Sequence, residues 1–155
     1  MKKTSSILGV WIYFILKPFI YLLLNNSKRS RIAIIYKDQI LVVRARLSDG
    51  KWGLPGGGMR KDESALQSVI REVFEESGID LKTHSITKVA TYQHNYLIFK
   101  INYIFYKTVL SLKPQTNIVK KLEIGAIKWV KIKDVLQNGA LYEDGTLQFL
   151  NKLKF

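Results

Sequence analysis

Residues 57–79 read GGMRKDESALQSVIREVFEESGI, directly after Pro55-Gly56. Leu66, Val69, Ile70 and Val73 recur at helical intervals with Phe74 beside them, so the spacing predicts a helix over 64–77. Ser64 with Gln67 forms a capping box at its start, and Gly78 is a natural stop at its end. The glycines before it let the backbone turn tightly and approach a ligand closely. Five of the twelve acids of the chain fall between positions 62 and 76: Asp62, Glu63, Glu72, Glu75 and Glu76. Glu72, Glu75 and Glu76 stand at i, i+3 and i+4, which places three carboxylates on one side of the helix. Like charges that close cost a few tenths of ~1 kcal/mol per exposed pair, a penalty that a divalent cation removes. Oxygen donors without Cys or His nearby favour magnesium or manganese over zinc. The competing reading is a solvated acidic face.

Outward from this stretch, the chain reads as short strands. Arg31–Tyr36 and Gln39–Arg46 flank a Lys37-Asp38 turn and predict a hairpin. Ser48-Asp49-Gly50 is a turn, and Trp52-Gly53-Leu54 leads into the glycine loop. Two β-rich runs follow, near 86–93 and 96–110, then a strand at 126–130 and short helices at 132–137 and 147–153. This order predicts one α/β domain with a mixed sheet and a well-marked central helix.

Gly57, five residues, Glu63, seven residues, then Arg71-Glu72-Val73-Phe74-Glu75-Glu76-Ser77-Gly78-Ile79 resembles the Nudix box, with every defining position filled. Trp52-Gly53-Leu54-Pro55-Gly56-Gly57 is similar to the family's approach to the box. Asp62 and Ser68 depart from common choices at positions that do not define the motif. The resemblance implies an α/β/α sandwich over residues 31–155; it does not cover residues 1–30, whose apolar, basic-flanked run reads as a separate helical segment. It further implies Mg2+-dependent (or Mn2+-dependent) hydrolysis of a pyrophosphate bond in a nucleoside diphosphate derivative, such as a nucleotide sugar or an ADP-ribose-like compound. By the same resemblance, Glu72, Glu75, Glu76 and the Gly56 carbonyl are metal ligands. Arg71 orients the box carboxylates, and Glu63 supports them from behind. Glu75, Glu76 or Glu123 serves as general base, with His84 and His94 as less favoured candidates. Trp52, Gly57 and Gly58 contact substrate. The aromatics Tyr92, Tyr96, Phe99, Tyr103, Phe105 and Tyr106 read first as sheet core and second as a stacking platform.

Composition bounds the alternatives. Apolar residues make up 47% and charged residues 24%, close to globular averages, so disorder is excluded as the main state. There is no cysteine, hence no disulfide framework and no thiolate metal site. A net charge of +13 favours phosphate-bearing partners or anionic lipid. Six of the cations, Lys2, Lys3, Lys17, Lys28, Arg29 and Arg31, lie in an acid-free leader whose middle, Ile7–Leu24, is apolar apart from Lys17 and Pro18. Three readings of this leader compete. A cleaved signal is disfavoured because no small-x-small site follows. A membrane-associated segment, spanning or kinked and shallow, is favoured, with Lys28, Arg29 and Arg31 on an anionic leaflet and the domain on the cytoplasmic face. A packing or homodimer helix is the remaining choice. Pro18 predicts a kink or break. Nineteen of the twenty-five cations are lysine, which makes nucleic acid, and with it an RNA 5′-end pyrophosphohydrolase, the less favoured reading. A non-catalytic nucleotide-binding module is the other alternative.

Overall fold

The computed structural model describes residues 4–96 and 99–153; Lys2, Lys3 and the side chains of Tyr96 and Phe99 lie outside the described residues. The chain runs α1 (Thr4–Leu24), β1 (Ser27–Tyr36), β2 (Gln39–Ala45), α2 (Ala65–Ser77), β3 (Thr87–Tyr96), β4 (Phe99–Val109), β5 (Ile124–Lys131), α3 (Ile132–Gln137), a 3-10 turn (Gly139–Leu141) and α4 (Asp144–Lys152). The five strands form one sheet in the order β3-β4-β1-β2-β5. The central pair, β1 with β4, is parallel, and the other neighbours are antiparallel. The Lys37-Asp38 hairpin is present, with Lys37 at φ 53.

Side-chain alternation along β1 builds a core on each face of the sheet. Ile32 and Ile34 pack with Leu41 against Val69 and Val73 of α2. Ala33 and Ile35 pack with Ile40 and Val42 against Val135 of α3 and Phe149 and Leu150 of α4. Helices therefore cover both faces, which is the expected α/β/α sandwich. Phe105 joins the α4 side, stacked on Phe149 at 4.8 Å, and Tyr106 joins the α2 side, so these two aromatics are sheet core. β1 begins at Ser27, five residues before its apolar run starts at Ile32, because Ser27–Arg31 pair with Ile101–Phe105 of β4.

The Ser64 hydroxyl accepts from the Gln67 N–H, and the Gln67 side chain accepts from the Ser64 N–H. Gly78 closes the helix in the left-handed region at φ 73. The buried face of α2 differs from the one its apolar spacing predicts. Ser68, Val69, Glu72, Val73 and Glu76 are buried, whereas Leu66 is 40% and Phe74 50% exposed. The helix is rolled so that its Ser68–Glu72–Glu76 stripe meets the glycine loop, and this pushes Leu66 and Phe74 to the margin.

α1 corrects one further expectation. It runs unbroken through Pro18, because one proline removes a single backbone hydrogen bond from a 21-residue helix. Among the described residues no helix is long and apolar enough to cross a membrane. The helix lies against the domain: a Cβ on Gly9 would stand 2.5 Å from the Arg46 carbonyl oxygen, so its backbone touches the β2–α2 connection directly.

Candidate functional site

The glycine loop, β1 and α2 meet at one cavity. Its wall is formed by Gly56, Gly57, Gly58, Glu72, Glu76, Arg29, Arg31, Glu123 and Glu143. The loop is held by its backbone: Ser30 N–H donates to Gly57 O at 2.9 Å and Ile32 N–H to Pro55 O at 3.0 Å. Gly56 has φ 133, a conformation that favours glycine, and a Cβ there would collide with the Ser30 carbonyl of β1. A Cβ on Gly57 would lie 2.5 Å from the Glu72 carboxyl carbon. The glycines thus do two things: they let the loop lie on β1 and they leave room for a carboxylate. Gly56→Ala is expected to destabilise the protein by ~2 kcal/mol or more, seen as a lowered denaturation midpoint. A midpoint equal to wild type would show that the loop can move off β1.

Arg71 organises the acids. Its Nε donates to Glu63 Oε1 at 2.7 Å and its Nη2 to Glu63 Oε2 at 2.8 Å. Its Nη1 donates to Glu72 Oε1 at 2.7 Å and Glu75 Oε2 at 3.1 Å, and its Nη2 also reaches Gly58 O at 3.1 Å. One guanidinium therefore fixes three carboxylates and one loop carbonyl. The Arg71 hydrogen bond drops the Glu63 carboxyl to about 2, against the opposing push of its partial burial. The Arg71 guanidinium is raised in turn, chiefly by Glu63.

Glu76 stands apart from this clamp. It is 7% exposed, and its Oε2 accepts from the Gly56 N–H at 2.9 Å. Burial pushes its carboxyl up to about 7; Arg31 and the Gly56 N–H pull the other way, and neighbouring Glu72 adds to the rise. Lys120 sits over the remaining acids, with Nζ 2.6 Å from Glu75, 3.5 Å from Glu123 and 3.7 Å from Glu72. Burial works to raise the Glu75 carboxyl, but Lys120 and Arg71 outweigh it and hold Glu75 low.

With the side chains in these positions, no group of three or more His, Cys, Asp or Glu among the described residues is arranged to hold a metal ion. The donor chemistry nevertheless suits a hard divalent cation: all donors are oxygen, Glu76 carries a buried charge short of compensation, and the Lys120 ammonium shows that the acids draw a cation between them. Lys120 is a flexible side chain on a connecting segment, and a bound ion would displace it.

Sequence reading reached most of this site but missed four residues. Arg29 and Arg31, expected on a membrane surface, instead turn into the cavity. Arg31 donates from Nη1 to Leu54 O and Gly56 O, each at 2.8 Å, and faces Glu143 at 3.9 Å. Burial works against its charge, but Glu143 and its other anionic neighbours leave its guanidinium raised. Arg29 has no hydrogen-bond or ion-pair partner for its guanidinium among the described residues; burial and then Arg31 push it below its ordinary value. Their i, i+2 spacing on a strand was the available signal. Lys120 and Glu143 carried no local signal, because only the tertiary fold brings them here. Glu123 lines the cavity but is 66% exposed at its side chain. Trp52 does not line it: Arg44 and Lys128 flank its ring at 4.8 and 4.1 Å, and its backbone bridges to Tyr142. His84 and His94 are exposed and away from the cavity wall.

Comparison with known proteins gives the family and the fold. The NUDIX domain model matches residues 26–149. Mouse "Diphosphoinositol polyphosphate phosphohydrolase 3-alpha" is 29% identical over 122 residues, covering 76% of this chain and 70% of the relative. The crystal structure of a MutT NUDIX hydrolase from Burkholderia pseudomallei superposes with a TM-score of 0.71 at 23% identity, covering 83% of this chain and 98% of the other. A C. elegans Ap4A hydrolase binary complex gives 0.68 at 19% identity, covering 82% and 94%.

Proposed function

The chain belongs to the NUDIX domain family, and from that premise we propose that it is a Mg2+-dependent (or Mn2+-dependent) pyrophosphohydrolase of a nucleoside diphosphate derivative. One observation carries the reading: Glu72 and Glu76 share a cavity with Arg29 and Arg31. Acids clustered on α2 call for a cation, and the cationic side chains that β1 contributes to the same cavity call for an anion. A metal-bound diphosphate satisfies both.

Glu72, Glu75, Glu76 and the Gly56 carbonyl would hold the metal. When bound, it neutralises phosphate oxygens and lowers the pKa of a coordinated water. The residues of the chain do the rest. Arg71 fixes Glu72 and Glu75 in orientation and draws on Glu63 to keep its own plane fixed. Gly57 and Gly58 keep the loop thin enough for a phosphate to approach the carboxylates. Arg29, with no competing partner among the described residues, is placed to take a phosphate oxygen. Glu123 lines the same cavity with a largely exposed side chain and is the acid placed to take a proton from water.

The test is a substrate panel with Mg2+: nucleotide sugars, ADP-ribose, dinucleoside polyphosphates, nucleoside triphosphates, diphosphoinositol polyphosphate and 5′-triphosphate RNA. At least one should be cleaved at its pyrophosphate bond, and Glu72→Gln should slow that cleavage by ~10³-fold. Turnover of none would remove the enzyme reading and favour the binding module. Cleavage of RNA alone would favour the 5′-end reading.

A further inference from the structure

α1 presents its faces in the reverse of the usual order. The half-buried side toward the domain carries Gly9, Val10, Tyr13, Lys17, Ile20 and Tyr21. The outward side carries Trp11, Phe14, Ile15, Phe19, Leu22 and Leu23, each between 53% and 84% exposed. A soluble surface helix ordinarily turns its apolar stripe inward. Here the apolar arc covers about 200° of the helix circumference at ~100° per residue, and it faces away from the core. Exposed apolar patches of this kind mark interaction surfaces.

Charge decides what covers it. Exposed Lys28 and Lys100 lie past the C-terminal end of α1, where the Asn26 N–H donates to Lys100 O. Exposed Arg46 and Lys121 lie beside its Gly9 turn: Gly9 abuts the Arg46 carbonyl, and the Arg46 Nε donates to Lys121 O at 2.7 Å. Next to these two stand Leu47, 45% exposed, and Leu122, 92% exposed, which continue the apolar rim toward the cavity wall at Glu123. Asp49 and Glu123 are the exposed acids at this edge. Cations flank both ends of the apolar face, and the chain carries +13 overall. A second copy would bring like charge against like charge. A partner that is apolar inside and anionic outside fits both features, and the helix is not one that crosses a membrane.

We propose that α1 is an in-plane docking helix for an anionic lipid bilayer. Its outward apolar face enters the headgroup–acyl boundary, and the flanking lysines and arginine meet lipid phosphates. The cavity wall at Glu123, which follows Leu122 in the chain, is then held close to the bilayer surface.

Co-sedimentation of the full chain with vesicles tests this, comparing phosphatidylglycerol/phosphatidylcholine with pure phosphatidylcholine. Binding is expected to be at least about tenfold tighter to the anionic vesicles and to weaken at ~0.5 M salt, where charges are screened within a few ångström. The double variant Ile15→Ser/Phe19→Ser is expected to bind at least about tenfold more weakly. Both side chains point away from the core, so its circular dichroism should match wild type. Equal binding to both vesicles, binding to neither, or an unchanged double variant overturns the proposal. So does a solution dimer that the double variant splits while vesicles stay unbound. None of these readouts depends on hydrolysis, so the outcome is separate from that of the catalytic proposal.

Discussion

Glu76→Gln is expected to melt at a higher temperature than wild type in metal-free buffer at pH 8, and to have lost nearly all hydrolysis. An ordinary glutamate titrates near 4.5, whereas Glu76 in the fold titrates near 7. Between those values the folded chain holds a proton that the unfolded chain releases. Folding stability therefore falls as pH rises from 4.5 to 7, and the full cost of the buried charge is present above 7. At ~1.4 kcal/mol per pH unit this cost reaches up to about 3 kcal/mol. Glutamine has nearly the same shape, keeps an oxygen for the Gly56 N–H, and carries no charge to desolvate. The stability difference should vanish below pH 4.5, where both side chains are neutral. Mg2+ should raise the melting temperature of wild type and leave the variant nearly unmoved, because binding to the folded state alone is stabilising. Hydrolysis should fall by ~10³-fold with the loss of one charged ligand. Equal melting temperatures at pH 8 would show that Glu76 is solvated in solution.

Arg71→Ala is expected to be the most damaging single change to the fold of the site. Glu63, Glu72 and Glu75 have side chains only 10–21% exposed, and all three lose their shared partner at once. Breaking such a pair from one side costs ~3–5 kcal/mol, most of it from the charge left behind. Activity should fall by ~10–100-fold through misplaced carboxylates. Arg71→Lys should restore little, since an ammonium cannot donate in the fork that spans Glu63. The pH profile identifies the cause. Glu63 is held near 2, below its ordinary 4.5, so its contribution is fully present above 4.5 and is lost as pH falls toward 2. Wild type should lose stability across that acid window, and Arg71→Ala should lose markedly less. Parallel acid profiles would assign the stabilisation to packing of the arginine stem.

What could be read beforehand followed from local rules. The capping box, the left-handed Gly78, the Lys37-Asp38 hairpin and the glycine loop are set by residues within a few positions of one another. The box acids were legible for the same reason, since one helix carries them. The roll of α2 was not, because apolar spacing names a stripe including Leu66, while burial of Glu72 and Glu76 depends on a loop and an arginine that pay their desolvation cost. Arg29 and Arg31 read as lipid-facing because their neighbours in sequence are a greasy leader. In the fold their neighbours are β4 and the glycine loop, and strand alternation turns them into the cavity. Lys120 and Glu143 come from distant connections. The outward apolar face of α1 was also hidden, since a nearly uniform apolar run does not say which side meets the domain.

The proposed function makes the acids, the Arg71 clamp and the two cavity arginines a site for a divalent cation bearing a diphosphate. Titration of the metal-free protein with Mn2+, followed by the loss of the free-ion electron paramagnetic resonance signal, tests this most directly. Wild type is predicted to take up Mn2+, and the folded Glu72→Gln/Glu76→Gln variant to take up at least about tenfold less. Undiminished uptake by that variant, or none by wild type, would contradict the assignment of the α2 carboxylates as the metal site.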